Sequence, residues 1–240
     1  MAPPPGYVAY GGQGAALLPS MQPIGGISKA LSILMYIMIP LQIIGAIATI
    51  GVIGKARDAL NGRITYTEFE NEVNGNLSSL SGLLVIPIAV LTIIWMYRMA
   101  ANLRLLGRHG ATWSPGWAIA GWFVPPFVIY AVPWLMFREL WKGSDPETAP
   151  GDPNWKQGTV SPLVNVWWVL YGLAPLVSIV TSAATIVSIM NTDGEKIAEA
   201  FDKFAAINIA MAFVGVAAGV VYVLLVRQLT ARHKKAIHEA

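Results

Sequence analysis

Long stretches almost free of charge alternate with short polar stretches along this 240-residue chain. The apolar runs cover about 30–54, 80–98, 110–137, 163–190 and 204–227. A helix needs about 20 mostly apolar residues to cross the ~30 Å hydrocarbon of a bilayer. The first, second, fourth and fifth runs predict such helices. Pro40 lies inside the first, where it is tolerated if neighbouring helices satisfy the carbonyl it frees. The polar segment 55–79 follows. In it Thr65 with Glu68, or Thr67 with Glu70, has the spacing of a capping box that starts a short helix. Thr192 with Glu195 repeats that spacing in the acidic loop 191–203, so the last helix is expected to begin outside the hydrocarbon and run through it.

The run 110–137 is long enough to span, but Pro125-Pro126 and Pro133 interrupt it. Trp113, Trp117, Trp122, Trp134 and Trp141 decorate it, and tryptophan favours the headgroup level. Ser114-Pro115 predicts a helix start, with serine as N-cap and proline at the first helical position; Pro125-Pro126 stops that helix after about three turns. The expected element is a broken re-entrant or interfacial hairpin over about 113–142, with a fifth span as the alternative. Lys and Arg divide 11 to 5 across the membrane with the hairpin and 10 to 6 with a fifth span. Arg98, Arg104 and Arg108, with no acid among them, favour the hairpin and a cytoplasmic position for that stretch. Both termini are then expected in the cytoplasm. The predicted fold is an all-α, polytopic transmembrane bundle of four spans plus the hairpin. It comprises a disordered Pro/Gly-rich tail (1–28), a membrane domain (29–230) and a basic tail (231–240).

Composition sharpens this picture. Only 12% of residues are charged and 55% are hydrophobic, whereas a soluble domain is roughly a quarter charged. The net charge of +3 comes from basic residues beside apolar runs, which points to membrane topology and away from nucleic acid. The absence of cysteine excludes disulfides, thiolate metal sites and cysteine nucleophiles. His109, His233 and His238 are scattered or in a tail, so neither metal nor cofactor is expected. No Asp, Glu, Lys, Arg or His lies deep within a predicted span, which argues against a proton-coupled pump and an intramembrane protease of the di-aspartate or metal type. With no nucleotide-binding loop either, the chain is not expected to be an enzyme.

Three groups of residues carry the remaining candidate chemistry. Ala205, Asn208, Ala212, Gly215 and Gly219 recur at helical spacing as one small face, suited to close helix packing. Ser178, Thr181, Ser182 and Thr185 form a hydroxyl stripe that either lines a polar pathway or bonds back to its own helix. Gln42, Thr49 and Asn165 are weaker pointers of the same kind. At the boundary, Arg98 and Asn102 share a helix face, Arg104 and Arg108 follow, and a hairpin brings Arg138, Glu139 and Trp141 near them. This set is suited to a lipid headgroup or a partner protein, or else to internal ion pairing. The segments 35–41 and 170–176 also resemble each other, as do 48–50 and 184–186, which suggests two similar hairpins flanking the insert.

The strings Trp95-Met96-Tyr97-Arg98, Asn102-Leu103-Arg104 and Trp113-Ser114-Pro115-Gly116-Trp117 are distinctive, as are Gly121-Trp122-Phe123-Val124-Pro125 and Arg138-Glu139-Leu140-Trp141, with Trp167-Trp168 downstream. They resemble the actinobacterial membrane proteins grouped as domain of unknown function 4328. The resemblance covers about 95–168, and the outer spans are similar in character only. That family often has an asparagine shortly after the Val-Pro pair, which Pro126-Phe127-Val128-Ile129-Tyr130 lacks. The resemblance implies a bacterial plasma membrane location and brings no activity. The expected function is a non-enzymatic component whose partners are the bilayer and either anionic lipid or another membrane protein. A small transporter or channel is the alternative.

Overall fold

The computed structural model describes residues 20–76, 81–124, 131–173, 176 and 193–239. These are helical, with no strand among them. The first helix, α1 (Gly25–Leu60), is 36 residues long, or about 54 Å at 1.5 Å per residue. It is longer than the hydrocarbon of a bilayer is thick and keeps Pro40 inside. A short helix, α2 (Tyr66–Asn76), follows after a turn. The Thr65–Glu68 capping box forms: Glu68 N–H donates to Thr65 Oγ1 (3.2 Å) and Thr65 N–H to Glu68 Oε2 (2.8 Å). The third helix, α3 (Ser81–Leu105), carries the second apolar run.

The Trp-rich insert then begins. Its first helix is shorter than the sequence suggests. Among the described residues 113–124 only α4 (Trp117–Ala120) is a helix, flanked by turns in which Trp117 N–H donates to Ser114 O and Trp122 N–H to Ile119 O. Gly116, rather than Ser114, is the N-cap, without a side-chain bond. Pro125-Pro126 lies outside the described residues. Helix α5 (Ala131–Gly143) holds Pro133 in its first turn. An N–H is unneeded in a first turn, so this proline is compatible with the helix that the described residues form from Ala131. At 13 residues α5 is about 20 Å long, too short for a bilayer.

A 3₁₀ turn (Trp155–Gln157) leads to α6 (Pro162–Trp168), capped by Ser161 Oγ on Leu163 N–H and continuing as a π-turn (Val169–Leu173). The rest of the expected span 163–190, apart from Leu176, lies outside the described residues. The two segments thought to repeat differ: 35–41 is regular α-helix and 170–173 is π-turn, while 184–186 is not described. Helix α7 (Gly194–Lys203) starts at Asp193, whose carboxylate accepts from Glu195 N–H at 3.2 Å. The cap is thus one residue later than Thr192, which is itself outside the described residues. The chain breaks at Phe204 and restarts as α8 (Ala205–Ala236). What was expected as one helix is therefore two.

Three helices, α1, α3 and α8, are long and apolar enough to cross a membrane. Their outward faces carry Ile44, Ile47, Leu83, Ile86, Phe213 and Leu224, all exposed. An apolar belt of that extent is suited to hydrocarbon and not to water. Helix α1 packs along α8 and α3, and the beginning of α1 meets the end of α8. That end is here called the base, and the opposite end, carrying α2 and α7, the cap. The main core runs from the base to mid-depth and includes Leu31, Trp95, Met99, Phe137, Trp167 and Leu225. A smaller cluster of Val52, Ala56, Ala59, Phe69 and Ala198 closes the cap.

Candidate functional site

Chemistry concentrates at the base and in one mid-depth cavity. At the base the chain turns sharply after α3 at Gly107, whose φ of +67° favours glycine. A Cβ there would also lie 2.8 Å from the backbone nitrogen of Gly151. The turn aims Arg108 inward. Its guanidinium donates to the carbonyls of Gly143 (3.0 Å), Asp145 (2.9 Å), Thr148 (2.9 Å) and Ala149 (2.8 Å). Burial pulls this arginine's pKa down from its ordinary value, opposed by Asp145 and Asp152. Gly151 N–H also donates to Gly107 O at 3.2 Å. The insert therefore leaves and returns at the same end of the bundle.

Beside this loop sits a fully buried polar chain. Asn102 accepts from Gln22 N–H through Oδ1 (2.8 Å) and donates through Nδ2 to Gln22 O (2.9 Å). Those two backbone bonds fix the amide's orientation. Nδ2 also lies 3.0 Å from His233 Nε2, and since it can only donate, that ring nitrogen accepts. His233 Nδ1 then carries the proton and donates to Ser144 Oγ at 2.7 Å. One turn earlier on α8, Thr230 Oγ1 accepts from Trp95 Nε1 at 3.1 Å. The C-terminal residues close the arrangement. Glu239 Oε2 and Oε1 accept from Ile24 and Gly25 N–H at 2.9 and 2.8 Å, capping α1. Residues 20–28 and 231–239, assigned to tails from composition, are thus part of the bundle's base.

The boundary residues singled out in the sequence do gather here, and most are engaged internally. Arg98 donates to Pro23 O, and Arg138 lies 4.8 Å over the Trp134 ring. Glu139 accepts from Trp113 N–H, and Trp141 O accepts from Arg232, which pairs with Asp145 at 2.8 Å. Arg104 is exposed and has no side-chain partner among the described residues. Sequence reasoning missed Gln22, Ser144, Thr230 and His233. The one available signal was the i, i+3 spacing of Thr230 and His233, which continues the buried face of α8.

The small face divides. Ala205 is buried, and Asn208 and Ala212 are half-buried. Gly219 is pressed on α1, where a Cβ would lie 2.9 Å from Gln42 Oε1 and 3.3 Å from Ile39. Gly215 faces open space. Thr49 bonds back to Gly45 O, and Asn165 accepts from Trp134 Nε1. The stripe Ser178, Thr181, Ser182 and Thr185 lies outside the described residues.

Gly215 opens onto a cavity of about 490 Å³ at mid-depth, between α1, α3, α8, the tip of the insert and the π-turn. Its wall is mostly apolar. The polar exceptions include Gln42, the Thr92–Tyr222 hydroxyl pair and the Trp122 indole. Gln42 Oε1 and Trp122 Nε1 are buried without a hydrogen-bond partner among the described residues. Among the described residues no group of acidic, histidine or cysteine side chains is placed to hold a metal ion.

The model of the family described as Domain of unknown function (DUF4328) matches residues 66–231. That stretch includes α2 to α7, both sides of the base loop, four sides of the cavity and α8 up to Ala231. No curated protein and no solved structure matches the chain.

Proposed function

The chain belongs to the family described as Domain of unknown function (DUF4328), and since that membership supplies no activity, we propose from its own geometry a non-catalytic membrane component whose base binds anionic lipid headgroups. The observation that carries this reading is the sorting of charge along the bundle. Eleven of the 16 Lys and Arg residues lie at the base, whereas eight of the 13 Asp and Glu residues lie at the cap. The reading also places the base on the cytoplasmic side of a bacterial plasma membrane, with both termini there.

Much of the basic charge at the base is committed to carbonyls and carboxylates, but Lys29, Arg104 and Lys235 are exposed and have no partner among the described residues. These three are the ones free to meet phosphate. A basic residue near an anionic surface contributes about 1 kcal/mol, so the three together give about 3 kcal/mol at low salt. A transporter would need a polar passage, and the cavity wall is mainly apolar.

The test compares thermal stability of the purified chain in phosphatidylcholine bilayers with and without phosphatidylglycerol. Stabilisation by the anionic lipid is expected, weakened by salt and largely lost in the variant combining K29Q, R104Q and K235Q. Equal stability in both bilayers would remove the proposal. Stabilisation that survives in the variant would remove the three residues from it.

A further inference from the structure

We propose that His233 is a proton-operated latch: a proton taken up at its Nε2 releases the N-terminal strap, residues 20–24, from the base. The strap leads into α1 without helical structure of its own. Asn102 exchanges two hydrogen bonds with the Gln22 backbone, Arg98 donates to Pro23 O, and Glu239 accepts from Ile24 and Gly25 N–H. The bonds to Gln22 depend on the imidazole behind them. Asn102, Ser144 and His233 have no exposed surface. The ring's partners among the described residues are Asn102 Nδ2 at 3.0 Å and Ser144 Oγ at 2.7 Å.

This arrangement accepts a neutral ring in one tautomer and rejects a charged one. A proton on Nε2 would face the Asn102 amide donor, two N–H groups meeting away from water. Turning the amide over gives the ring an acceptor, but it then presents Nδ2 to Gln22 N–H and Oδ1 to Gln22 O. One conflict becomes two, so on either path Gln22 lets go. The charges on the surrounding elements do not relieve this. On α3 and its turn, Arg98 and Arg108 are engaged with carbonyls. In the insert, Glu139 holds Trp113 N–H, Lys142 donates to Lys156 O, and Asp145 pairs with Arg232 of α8. Glu239 caps α1 with Lys234 beside it, and acts on the ring without touching it. Lys29, Arg104 and Lys235 are exposed. A histidine released into water takes up a proton below about pH 6.5. The closed base excludes that proton, so closure is fully stable above about pH 6.5 and weakens about tenfold per pH unit below it.

The experiment is hydrogen exchange of the full chain in lipid nanodiscs from about pH 8 to about pH 5, which stays above the ordinary range of Glu239 and Asp145. Exchange is expressed as protection relative to an unstructured chain at the same pH. Protection at Gln22, Ile24 and Gly25 N–H should be level down to about pH 6.5 and fall about thirtyfold by pH 5, while buried Leu225 and Leu229 of α8 keep theirs. In His233→Gln the amide can still accept from Asn102 and donate to Ser144 but does not titrate, so strap protection should be level throughout. Level protection in the unaltered chain would overturn the proposal. So would the same fall in His233→Gln, or a fall shared equally by the core of α8. The ring nitrogens give a second reading that needs no variant. At pH 8 the nitrogen-15 shifts of His233 should report the proton on Nδ1, and a proton on Nε2 would equally overturn the proposal.

Discussion

The base and the cap of this bundle solve the same problem, closing the end of a helix pair, by opposite means. At the cap, Phe69 meets Phe201 edge-to-face at 5.9 Å over a handful of small residues. Ion pairs such as Arg57–Asp202 (2.6 Å) and Arg63–Asp58 (3.0 Å) lie in the open around it. At the base the polar groups are inside. Asn102, Ser144 and His233 have no exposed surface, and Arg108 has 3%. Exposed pairs are screened by water and are worth little, whereas a buried polar group that loses its partner has no solvent to turn to. The two ends should therefore respond very differently to equally small changes.

The largest effect is expected at Arg108. Replacing it by methionine keeps much of the bulk and leaves the carbonyls of Gly143, Asp145, Thr148 and Ala149 without their donor. Loss of about 3–5 kcal/mol of stability follows, read as a large fall in the detergent melting temperature. Arg108→Lys should rescue little of it, because one ammonium cannot reproduce the planar fork that reaches four carbonyls. A variant as stable as the parent would erase the distinction between the two ends. Next in size are Asn102→Leu and His233→Leu, each expected to cost about 1–3 kcal/mol by orphaning a buried partner. Because the two side chains share one hydrogen bond, the double variant should cost less than the sum of the singles. Strict additivity would show that they act independently.

Glu239 tests a point between these extremes, since its bonds to Ile24 and Gly25 are only partly buried. Removing the carboxylate by Glu239→Ala should cost about 1 kcal/mol, the ordinary worth of a helix cap. Hydrogen exchange at the first turn of α1 is the sensitive readout. Faster exchange confined to residues near Ile24 is expected, and unchanged exchange would show that α1 needs no help from the C-terminal residues.

The three long apolar helices α1, α3 and α8 were legible in the sequence because hydropathy is a local property that length alone converts into a helix. The Thr65–Glu68 box was legible for the same reason, since both partners lie within one turn. The base was only half legible. Charge patterning brought Arg98, Asn102, Arg104, Arg108, Arg138, Glu139 and Trp141 to one boundary, but could not say which way each side chain points. Arg108 turns inward because Gly107 takes a left-handed conformation and fits against Gly151, a contact 44 residues apart in the chain. Asn102 meets Gln22 across 80 residues and His233 across 131. No spacing rule reaches that far. Pro133 was ambiguous for a different reason: a proline interrupts a helix or is accommodated in its first turn according to where the helix starts, which its spacing alone does not give.

The smallest expected effect belongs to the cap and shows how far the contrast extends to pH. The carboxyl of Glu68 sits below its usual range, chiefly because it accepts the Thr65 backbone N–H and then the Thr65 hydroxyl. A group whose pKa is depressed on folding adds stability that is present above its unfolded value and is lost as pH falls through the folded value. Helix α2 should therefore fray as the medium is acidified below the ordinary carboxylate range. The fraying should appear as faster hydrogen exchange at Glu68 and Phe69, while the base is unaffected by this titration. Thr65→Val removes the hydroxyl but keeps the backbone donor that is the larger cause, so the acid-induced fraying should be reduced and not abolished. Complete loss of the pH response in that variant would reverse the order of the two causes.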